Sequence, residues 1–547
     1  MNTSKPLAIL ASLALTASLA ACSGGGGGGS SSPSGSASGG GLTLTQVTPA
    51  ATGDIDAVTW NLPYEPSSID PAHSFNYSEN TVIANMCESL LRQNPDFTTS
   101  PGLAASVDHP DPTTWVYHLQ SGVKFWDGTP MTSEDVAFSL NRGLDSNVGS
   151  YFGSYFTNVK DIKATDASTV TVTMKAPDTL FNQAMATAAG AVVQEKFTKA
   201  AGQDFGSPSK GVMCTGPFAF DSWKSGDSLV MKKNTGYWDS KLTAKAGKLT
   251  FRFISDETTA VNALQSGEID GEFFYLPPAG LGSLKNSNAG TLYYGDSLIF
   301  WALLGCATTG PMADPKVRQA FSLAVDRPGL AKVVFQDSAE PAKTLTGPAY
   351  FTYGKSVFQS AYDALPPINA DLAKAQQLLK DAGSPTQPIT IGIQGSSAVH
   401  EQTGALLKAA GEALGLTVNI KSIPVEQYGA LYYDPKAREG LDAFLSTWYG
   451  NVPDPLDVYA SFTKGGSNNF NNYDAVSSQV DTARTIDNDD ARAAAVSQIM
   501  TTVTTDAPWV PLETLPVLAF LNKRVTGATV SSVYLYYPWA AALGKSG

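Results

Sequence analysis

Residues 115–142 read WVYHLQSGVKFWDGTPMTSEDVAFSLNR, and this segment contains two local structural signals. Asp127-Gly128 predicts a tight turn, because glycine accepts the positive φ that such turns require. Thr132-Ser-Glu-Asp135 resembles a capping box, with Asp in place of the usual Glu, just before the apolar positions of a helix. The segment therefore predicts a turn followed by a capped helix.

The rest of the chain mixes helical and strand patterns. Helices are predicted at 258–266, from Asp314-Pro315 onward, and at 371–383, which has Asp371 as its N-cap and a glycine stop. Alternating apolar residues predict strands at 169–174, 249–254 and 417–421. Helices and strands in succession predict α/β layers. The apolar face of the 371–383 helix is predicted to comprise Leu372, Ala375, Leu378, Leu379 and Ala382.

Composition limits the classes of function. The 547 residues include 36 Lys and Arg against 49 Asp and Glu, which gives a formal net charge of −13. An acidic chain lacks the basic surface that sequence-independent nucleic-acid binding needs, so we expect no nucleic-acid partner. Hydrophobic residues make up 43% of the chain, which is enough for a large core.

The N-terminal region predicts export and membrane anchoring. Lys5 precedes an apolar run with the n-region and h-region of a secretory signal. The run ends in Leu-Ala-Ala-Cys22-Ser, which resembles the bacterial lipobox, so residues 1–21 are predicted to be a lipoprotein signal peptide and Cys22 the lipidated residue. Residues 22–53 are rich in Gly and Ser and predict a flexible tether.

The remaining cysteines are Cys87, Cys214 and Cys306. Outside the cytoplasm, one disulfide and one buried thiol would account for three cysteines, and the sequence leaves the pairing open.

Catalytic motifs are largely missing from the chain. We find no G-x-S-x-G elbow, P-loop or C-x-x-C, and the segment 400–404 lacks the second His of a zincin site. Four His and four Cys leave little scope for a multi-metal centre. We therefore expect no catalytic residues, no metal and no cofactor, and hence no enzyme.

Several motifs occur in the order found in one known family. They lie at 64–71, 87–91, 101–142, 214–218 with 234–238, 263–270, 314–327, 448–455 and 506–512. Together they resemble the extracytoplasmic solute-binding proteins of the oligopeptide, dipeptide and nickel type (solute-binding protein family 5), from about residue 59 to residue 527. One departure is Gln120, where a basic residue is usual.

The resemblance implies an α/β fold of the periplasmic-binding-protein type, with two lobes, a hinge and a ligand cleft between the lobes. Lobe I is expected at 54–285, with an extra subdomain at about 96–209. Lobe II is expected at 286–505, and residues 506–547 return to lobe I.

The resemblance also implies the function. The protein would be the lipid-anchored substrate-binding component of an ABC importer, a monomer on the outer face of the cytoplasmic membrane, in the cell envelope or periplasmic space. It would capture peptides or a related small solute by lobe closure and deliver them to the permease subunits. Two alternatives stay open: a binder of a neutral oligosaccharide or metal chelate on the same fold, and a secreted hydrolase.

The candidate ligand-binding residues come mainly from the segment 448–455. Trp448 and Tyr449 are large rings for stacking on a ligand, and Gly450 allows a close approach of the backbone. In peptide-binding relatives the residue three after this Trp is usually an Asp that pairs with the ligand's α-ammonium, but here it is Asn451. A buried ammonium needs a formal counter-charge, so either the ligand lacks a free ammonium or Asp454 or Glu65 supplies the charge.

The opening loop and one aromatic segment supply the remaining candidates. Tyr64 lies beside Glu65 in the opening loop, and Tyr151 belongs to the aromatic segment 150–156. Both are predicted to line the cleft.

Overall fold

The computed structural model describes residues 42–466 and 468–547. The predicted signal peptide, Cys22 and the tether as far as residue 41 lie outside the described residues. The tether prediction does not hold for its last residues, because the backbone amide of Thr48 donates to Ala528 at 2.9 Å and Thr48 is buried. No helix in the described ranges is long and apolar enough to cross a membrane.

The strands are named in chain order. They are β1 Ile55–Leu62, β2 Leu91–Gln93, β3 Thr99–Pro101, β4 Ala104–Asp111, β5 Thr114–Leu119, β6 Val159–Asp166, β7 Thr169–Met174, β8 Phe218–Lys224, β9 Ser228–Lys233, β10 Ala246–Phe253, β11 Gly271–Phe274, β12 Gly290–Gly305, β13 Glu340–Pro341, β14 Ile389–Gln394, β15 Val418–Ile423, β16 Ala443–Tyr449, β17 Trp509–Asn522, β18 Val525–Thr526 and β19 Gly544–Lys545.

The α-helices are named in the same way. They are α1 Tyr77–Ile83, α2 Ser133–Asn141, α3 Thr179–Ala184, α4 Glu195–Ala201, α5 Glu257–Ser266, α6 Leu281–Lys285, α7 Pro315–Ala324, α8 Arg327–Val333, α9 Lys355–Ala364, α10 Leu372–Asp381, α11 Ala398–Ala413, α12 Val425–Tyr428, α13 Pro455–Tyr459, α14 Ser477–Ala483 and α15 Asp489–Asp506. A 3₁₀ helix at Tyr151–Phe156 is used below.

Most strands belong to one 11-stranded sheet with the order β15-β14-β16-β12-β17-β11-β1-β10-β9-β8, and β13 pairs with β17. The long antiparallel strands β12 and β17 stand at its centre. On one side of this pair lie β16, β14 and β15, from residues 389–449. On the other side lie β11, β1, β10, β9 and β8, all from the first 274 residues. The pairing register of β12 with β17 breaks between Gly295 and Ile299. A second sheet has the order β4-β5-β7-β6.

The second half of β12 faces two hydrophobic cores. Ile299, Trp301 and Leu303 belong to one core, whereas Phe300 and Leu304 belong to the other. Successive side chains of a strand point to opposite faces, so a strand buried on both faces reads as a continuous apolar run. The centre of the large sheet is therefore covered on both faces.

Local sequence signals predicted the ends of several helices correctly. Thr132 and Asp135 form the reciprocal capping box of α2, and Gly128 has φ +85° in the turn before it. Asp371 caps α10, with its side chain accepting the amide of Lys374. The predicted apolar face of this helix is wrong at Leu372, which is 43% exposed because it lies in the first turn, beyond the packed surface.

The disulfide joins two of the family motifs, those at 87–91 and 214–218. Cys87 forms a disulfide with Cys214, and Cys306 is a buried free thiol. Next to the disulfide, Glu88 accepts hydrogen bonds from Thr215 at 2.8 Å, Tyr237 at 2.7 Å and Trp238 at 2.9 Å. Arg92 lies 3.6 Å from the same carboxylate. We call these five residues (Glu88, Arg92, Thr215, Tyr237 and Trp238) the Glu88 network.

Candidate functional site

The C-terminal end of β16 carries the main candidate residues. Trp448 and Tyr449 are the last residues of this strand, and both are half-buried. The strand ends in a short turn that leads to α13, whose N-cap is Asp454 and whose first residue is Pro455. The Asp454 side chain accepts the amide of Leu456, as N-cap residues do, so the helix start fixes the turn after the strand.

Tyr449 links the end of β16 to the start of α1. Its hydroxyl donates to the carbonyl of Phe75 at 2.9 Å and accepts a hydrogen bond from Asn80 Nδ2 at 3.1 Å. Its ring centroid lies 5.3 Å from that of Tyr77, which stacks on Tyr275 at 4.8 Å. Residues far apart in the chain, from about 75 to 80, at 275 and at 449, thus come together.

Asn451 is the centre of a second set of contacts. Its side-chain amide donates to the Tyr155 hydroxyl at 3.0 Å, and its side-chain oxygen accepts from the Tyr536 hydroxyl at 2.6 Å. Its backbone amide donates to Asp457 at 2.8 Å, and the other oxygen of Asp457 accepts from Tyr155. The amide of Asn451 is therefore held by two phenols that come from opposite parts of the sequence.

We call the assembled residues the tyrosine cluster. They share a position around the ends of β16 and α1, and most of them are aromatic and half-buried. The members are Tyr64, Phe75, Tyr77, Asn80, Tyr151, Tyr155, Tyr275, Tyr432, Trp448, Tyr449, Asn451, Asp457 and Tyr536.

Burial keeps the phenols of the cluster neutral. Desolvation raises the pKa of Tyr151 to about 12, and it raises the pKa of Tyr449 and Tyr536 well above the ordinary value. Desolvation also raises the pKa of Asp457, to about 6. The cluster therefore offers aromatic faces and uncharged hydroxyl and amide groups, with one carboxyl among them. Such a surface is suited to binding a solute rather than to activating a nucleophile.

The structure brings Tyr64 and Tyr151 into the cluster. The Tyr64 hydroxyl accepts the backbone amide of Ser78 at 3.2 Å, at the start of α1. Tyr151 lies beside Phe75, with the ring centroids 5.5 Å apart, and next to Asn451. Their predicted roles in ligand binding stay predictions.

The carboxylates of Glu65 and Asp454 accept hydrogen bonds from residues outside the tyrosine cluster. The Glu65 carboxylate accepts from Trp223 Nε1 at 2.8 Å and from the amide of Gly226 at 2.9 Å. Asp454 is fully buried, and it accepts from Tyr353 at 2.8 Å and from Gln183 at 2.9 Å in addition to capping α13. Both acids are thus occupied by groups of the protein itself.

Trp448 and Gly450 likewise contact other residues of the protein itself. The Trp448 ring packs against Trp509, with the centroids 4.9 Å apart, and lies 6.2 Å from Tyr432. The Gly450 amide donates to the Tyr350 hydroxyl at 2.9 Å, and a Cβ at position 450 would lie 2.6 Å from the Tyr350 ring. Glycine is therefore required here for a close approach by Tyr350.

Sequence reasoning missed several members of the cluster. Tyr155 lies in the aromatic segment from which Tyr151 was selected, so that segment was a usable signal. Tyr536 belongs to no candidate motif, and nothing in its local sequence indicates the hydrogen bond to Asn451. Asp457 and Tyr275 belong to no recognisable motif, so only the fold brings them to the site.

A small cavity beside the cluster contains polar atoms without partners. It measures about 10 Å³, enough for a single water molecule, and Trp60, Tyr77 and Ser78 are among the residues that line it. Trp60 Nε1, the Tyr77 hydroxyl and Ser78 Oγ are buried there and form no hydrogen bond within the described part of the chain.

Comparison with known proteins identifies the fold and the relationship. The family model described as bacterial extracellular solute-binding proteins, family 5 middle, matches residues 98–470. The periplasmic oligopeptide-binding protein OppA of Salmonella typhimurium is 25% identical over 429 residues, which cover 75% of this chain and 77% of that protein. The dipeptide-binding protein DppE of Bacillus subtilis is 26% identical over 504 residues, which cover 87% and 90%.

A solved structure gives the same fold. The periplasmic binding protein DppA of Helicobacter pylori, in complex with the peptide STSA, superposes with a TM-score of 0.77 at 20% sequence identity, covering 90% of this chain and 99% of that one. The α/β, two-lobed fold expected from the sequence is confirmed.

Proposed function

Because this chain belongs to the bacterial extracellular solute-binding proteins of family 5, we propose that it is the substrate-binding component of an ABC importer for peptides or a related small solute. It captures the solute outside the cytoplasm and delivers it to the permease subunits. The oligopeptide-binding and dipeptide-binding relatives support peptides as the first ligand class to test. The chain acts as a binder, with no chemistry of its own.

The observation that carries this proposal is the position of the tyrosine cluster. It lies where strand groups from opposite ends of the sequence meet across β12 and β17, and it contains side chains from near residues 75, 155, 275, 449 and 536. A solute held there would contact both parts of the molecule at once. Such a solute favours the state in which the two parts are close together, which is the physical basis of lobe closure.

The N-terminal sequence supports attachment to the membrane. Cys22 in its lipobox context would carry the lipid, and the Gly- and Ser-rich residues after it would tether the body. The protein would then act on the outer face of the cytoplasmic membrane as a tethered monomer, close to the permease.

Ligand screening tests the proposed function. We expect free-amine peptides of two to six residues to raise the melting temperature of the purified chain, because a ligand that binds only the folded state stabilises it by about 2.7 kcal/mol at 100 times Kd. Oligosaccharides and metal chelates serve as the competing ligand classes. Absence of any shift with peptides, together with turnover of a generic ester or glycoside, would overturn the proposal.

A matched pair of variants locates the site. Tyr449→Ala removes a ring and two hydrogen bonds from the tyrosine cluster, so we expect at least a tenfold loss of peptide affinity by calorimetry. Tyr433→Ala removes a ring that is 74% exposed and should leave the affinity unchanged. Equal affinities in the two variants would place the peptide site elsewhere.

A further inference from the structure

One face of helix α3 forms hydrogen bonds with residues from much later in the chain. The backbone amide of Thr179, its first residue, donates to the carbonyl of Arg484 at 2.9 Å. Gln183, near the end of the same helix, donates from Nε2 to Asp454 at 2.9 Å across a separation of 271 residues. Residues four apart lie on the same face of a helix. Both ends of this face therefore bond to the segments around α13 and α14.

An ion pair lies beside these hydrogen bonds. Nε of Arg484 lies 3.5 Å from Oδ1 of Asp178, the N-cap of α3, and the exposed fractions of the two side chains are 14% and 0%. Within the described ranges Arg484 Nε forms no hydrogen bond, so the Asp178 charge compensates it. Burial raises the pKa of Asp178, and the charge of Arg484 opposes this increase. Removing one partner of such a buried pair leaves the other charge uncompensated.

The two partners of these contacts are anchored in different parts of the fold. On the side of α3, the Tyr117 hydroxyl of β5 donates to Asn182 at 2.9 Å. The ring of Phe181 packs against that of Phe156, with the centroids 5.8 Å apart. On the other side, α14 ends just before Arg484 and packs against α13 and α15. The sequence predicts α3 in the extra subdomain of lobe I and α13 to α15 in lobe II.

These contacts can form only when the two parts are close together. They involve groups of the protein alone, and neither Asp178 nor Arg484 belongs to the tyrosine cluster. Their contribution to closure therefore adds to that of the contacts that a solute makes in the cluster.

We propose that Asp178, Thr179 and Gln183, with their partners Asp454 and Arg484, form a latch that stabilises the closed state and raises the affinity for the solute. We call these five residues the α3 latch. This inference rests on the proposed solute-binding function. The apparent dissociation constant of a ligand equals its intrinsic value divided by the population of the competent state. By increasing that population, the α3 latch tightens binding and slows release of the solute.

The substitution Arg484→Gln tests the α3 latch, because it removes the ion pair and keeps the carbonyl that Thr179 bonds to. Small-angle X-ray scattering of the solute-free proteins should give a larger radius of gyration for the variant than for the unmodified protein. Saturating trialanine, used as the probe peptide, should bring the two radii together. By calorimetry, the dissociation constant for trialanine should rise about tenfold in the variant.

Arg524→Gln is the matched control. It removes an arginine from Asp270, another buried aspartate, but these two residues flank the adjacent strands β11 and β17 of one sheet. We expect this variant to lose stability in urea unfolding and to keep both the radius of gyration and the affinity for trialanine. A second variant of the latch, Gln183→Ala, removes the bond to Asp454 and should change both quantities in the same direction as Arg484→Gln.

The outcomes separate this inference from the proposed function. If trialanine binds but Arg484→Gln leaves the radius of gyration unchanged, the α3 latch is wrong and the solute-binding function stands. Equal expansion in Arg484→Gln and Arg524→Gln would also overturn the latch, since the cause would then be a general loss of stability. If trialanine and other peptides fail to bind but the solute-free Arg484→Gln protein is expanded, the contacts hold the two parts together and the proposed function fails. If Arg484→Gln does not fold, the radius of gyration of Gln183→Ala decides.

Discussion

The Glu88 network and the tyrosine cluster are both built around a carboxyl group and phenols, but they are completed in different ways. Glu88 receives donors from Thr215, Tyr237 and Trp238, and Arg92 lies 3.6 Å away. Asp457 receives a phenol and backbone amides, and in the described ranges no cation bonds to it. The donors around Glu88 all come from the chain, so this network stabilises the fold, whereas the Asp457 carboxyl keeps capacity for a further donor.

The two regions should therefore respond differently to substitution. Changes in the Glu88 network should lower the free energy of unfolding and leave ligand selectivity alone. Changes in the tyrosine cluster should alter binding at a smaller cost in stability.

We expect the largest loss of stability from removing the disulfide beside the Glu88 network. Cys87 and Cys214 are 127 residues apart, and closing a loop of that length stabilises a protein by about 5 kcal/mol through the unfolded state. The double variant Cys87→Ser, Cys214→Ser should lose about that much in urea unfolding. Cys306→Ser, at the free thiol, serves as the control for a serine at a buried cysteine. Unchanged stability of the double variant would show that the disulfide does not constrain the unfolded chain.

Glu88→Ala should have the next largest effect. It leaves the hydroxyl of Tyr237, Nε1 of Trp238 and the hydroxyl of Thr215 without their acceptor, and we expect a loss of about 3 kcal/mol. Urea unfolding measures the loss. Glu195→Ala, which removes only an exposed pair with Lys199, should cost less than about 1 kcal/mol. A folded Glu88→Ala protein with altered peptide selectivity would break the distinction between the two regions.

Glu272 represents a third situation, a buried carboxyl with neither a network nor access to a ligand. Burial raises its pKa to about 8, and its Oε2 forms no hydrogen bond within the described ranges. Because the pKa of Glu272 is higher in the folded state than in the unfolded state, protonation of this carboxyl stabilises the fold. The stabilisation is complete below the unfolded pKa and is lost as the pH rises through about 8. We expect a loss of about 2 kcal/mol between pH 6 and pH 8, from about 1.4 kcal/mol per pH unit.

Glu272→Gln should flatten this pH dependence, because the amide stays neutral at every pH. Urea unfolding at pH 6, 7 and 8 of the two proteins measures the difference. Parallel profiles would assign the loss of stability to another group.

The smallest expected effect comes from Tyr536→Phe in the tyrosine cluster. It removes the donor to Asn451 Oδ1, which should cost about 1 kcal/mol of stability and change peptide affinity several-fold. Tyr537→Phe, at the next half-buried tyrosine, should leave the affinity unchanged. Equal effects of the two substitutions would show that the contact with Asn451 does not shape the site.

Much of the fold was predictable because its signals are local. The capping box at Thr132, the N-cap at Asp371 and the αL glycine at Gly267 each depend on residues within one helical turn. The cysteine pairing was not predictable, because 127 residues separate Cys87 from Cys214.

The site was predicted only in part for the same physical reason. The segment from Trp448 to Asn451 has a recognisable sequence, so it could be selected as a candidate. The phenols of Tyr155 and Tyr536 reach Asn451 from 296 and 85 residues away, and only the assembled fold shows those contacts. The positions of Glu65 and Asp454 in the sequence indicated a role as counter-charges. In the fold, however, Glu65 accepts a hydrogen bond from Trp223, and Asp454 accepts hydrogen bonds from Tyr353 and Gln183.

The central place of β17 in the large sheet has a consequence for how the chain folds. This strand spans Trp509–Asn522, near the end of the sequence, yet it pairs with β12 on one side and β11 on the other. Until residue 522 is available, both of those neighbours have an unpaired edge and the two halves of the sheet cannot join. In a chain that crosses a membrane N-terminus first, the two halves of the sheet would stay apart until β17 arrives. Contacts between residues far apart in the sequence form slowly, so they would set the rate at which the fold is completed.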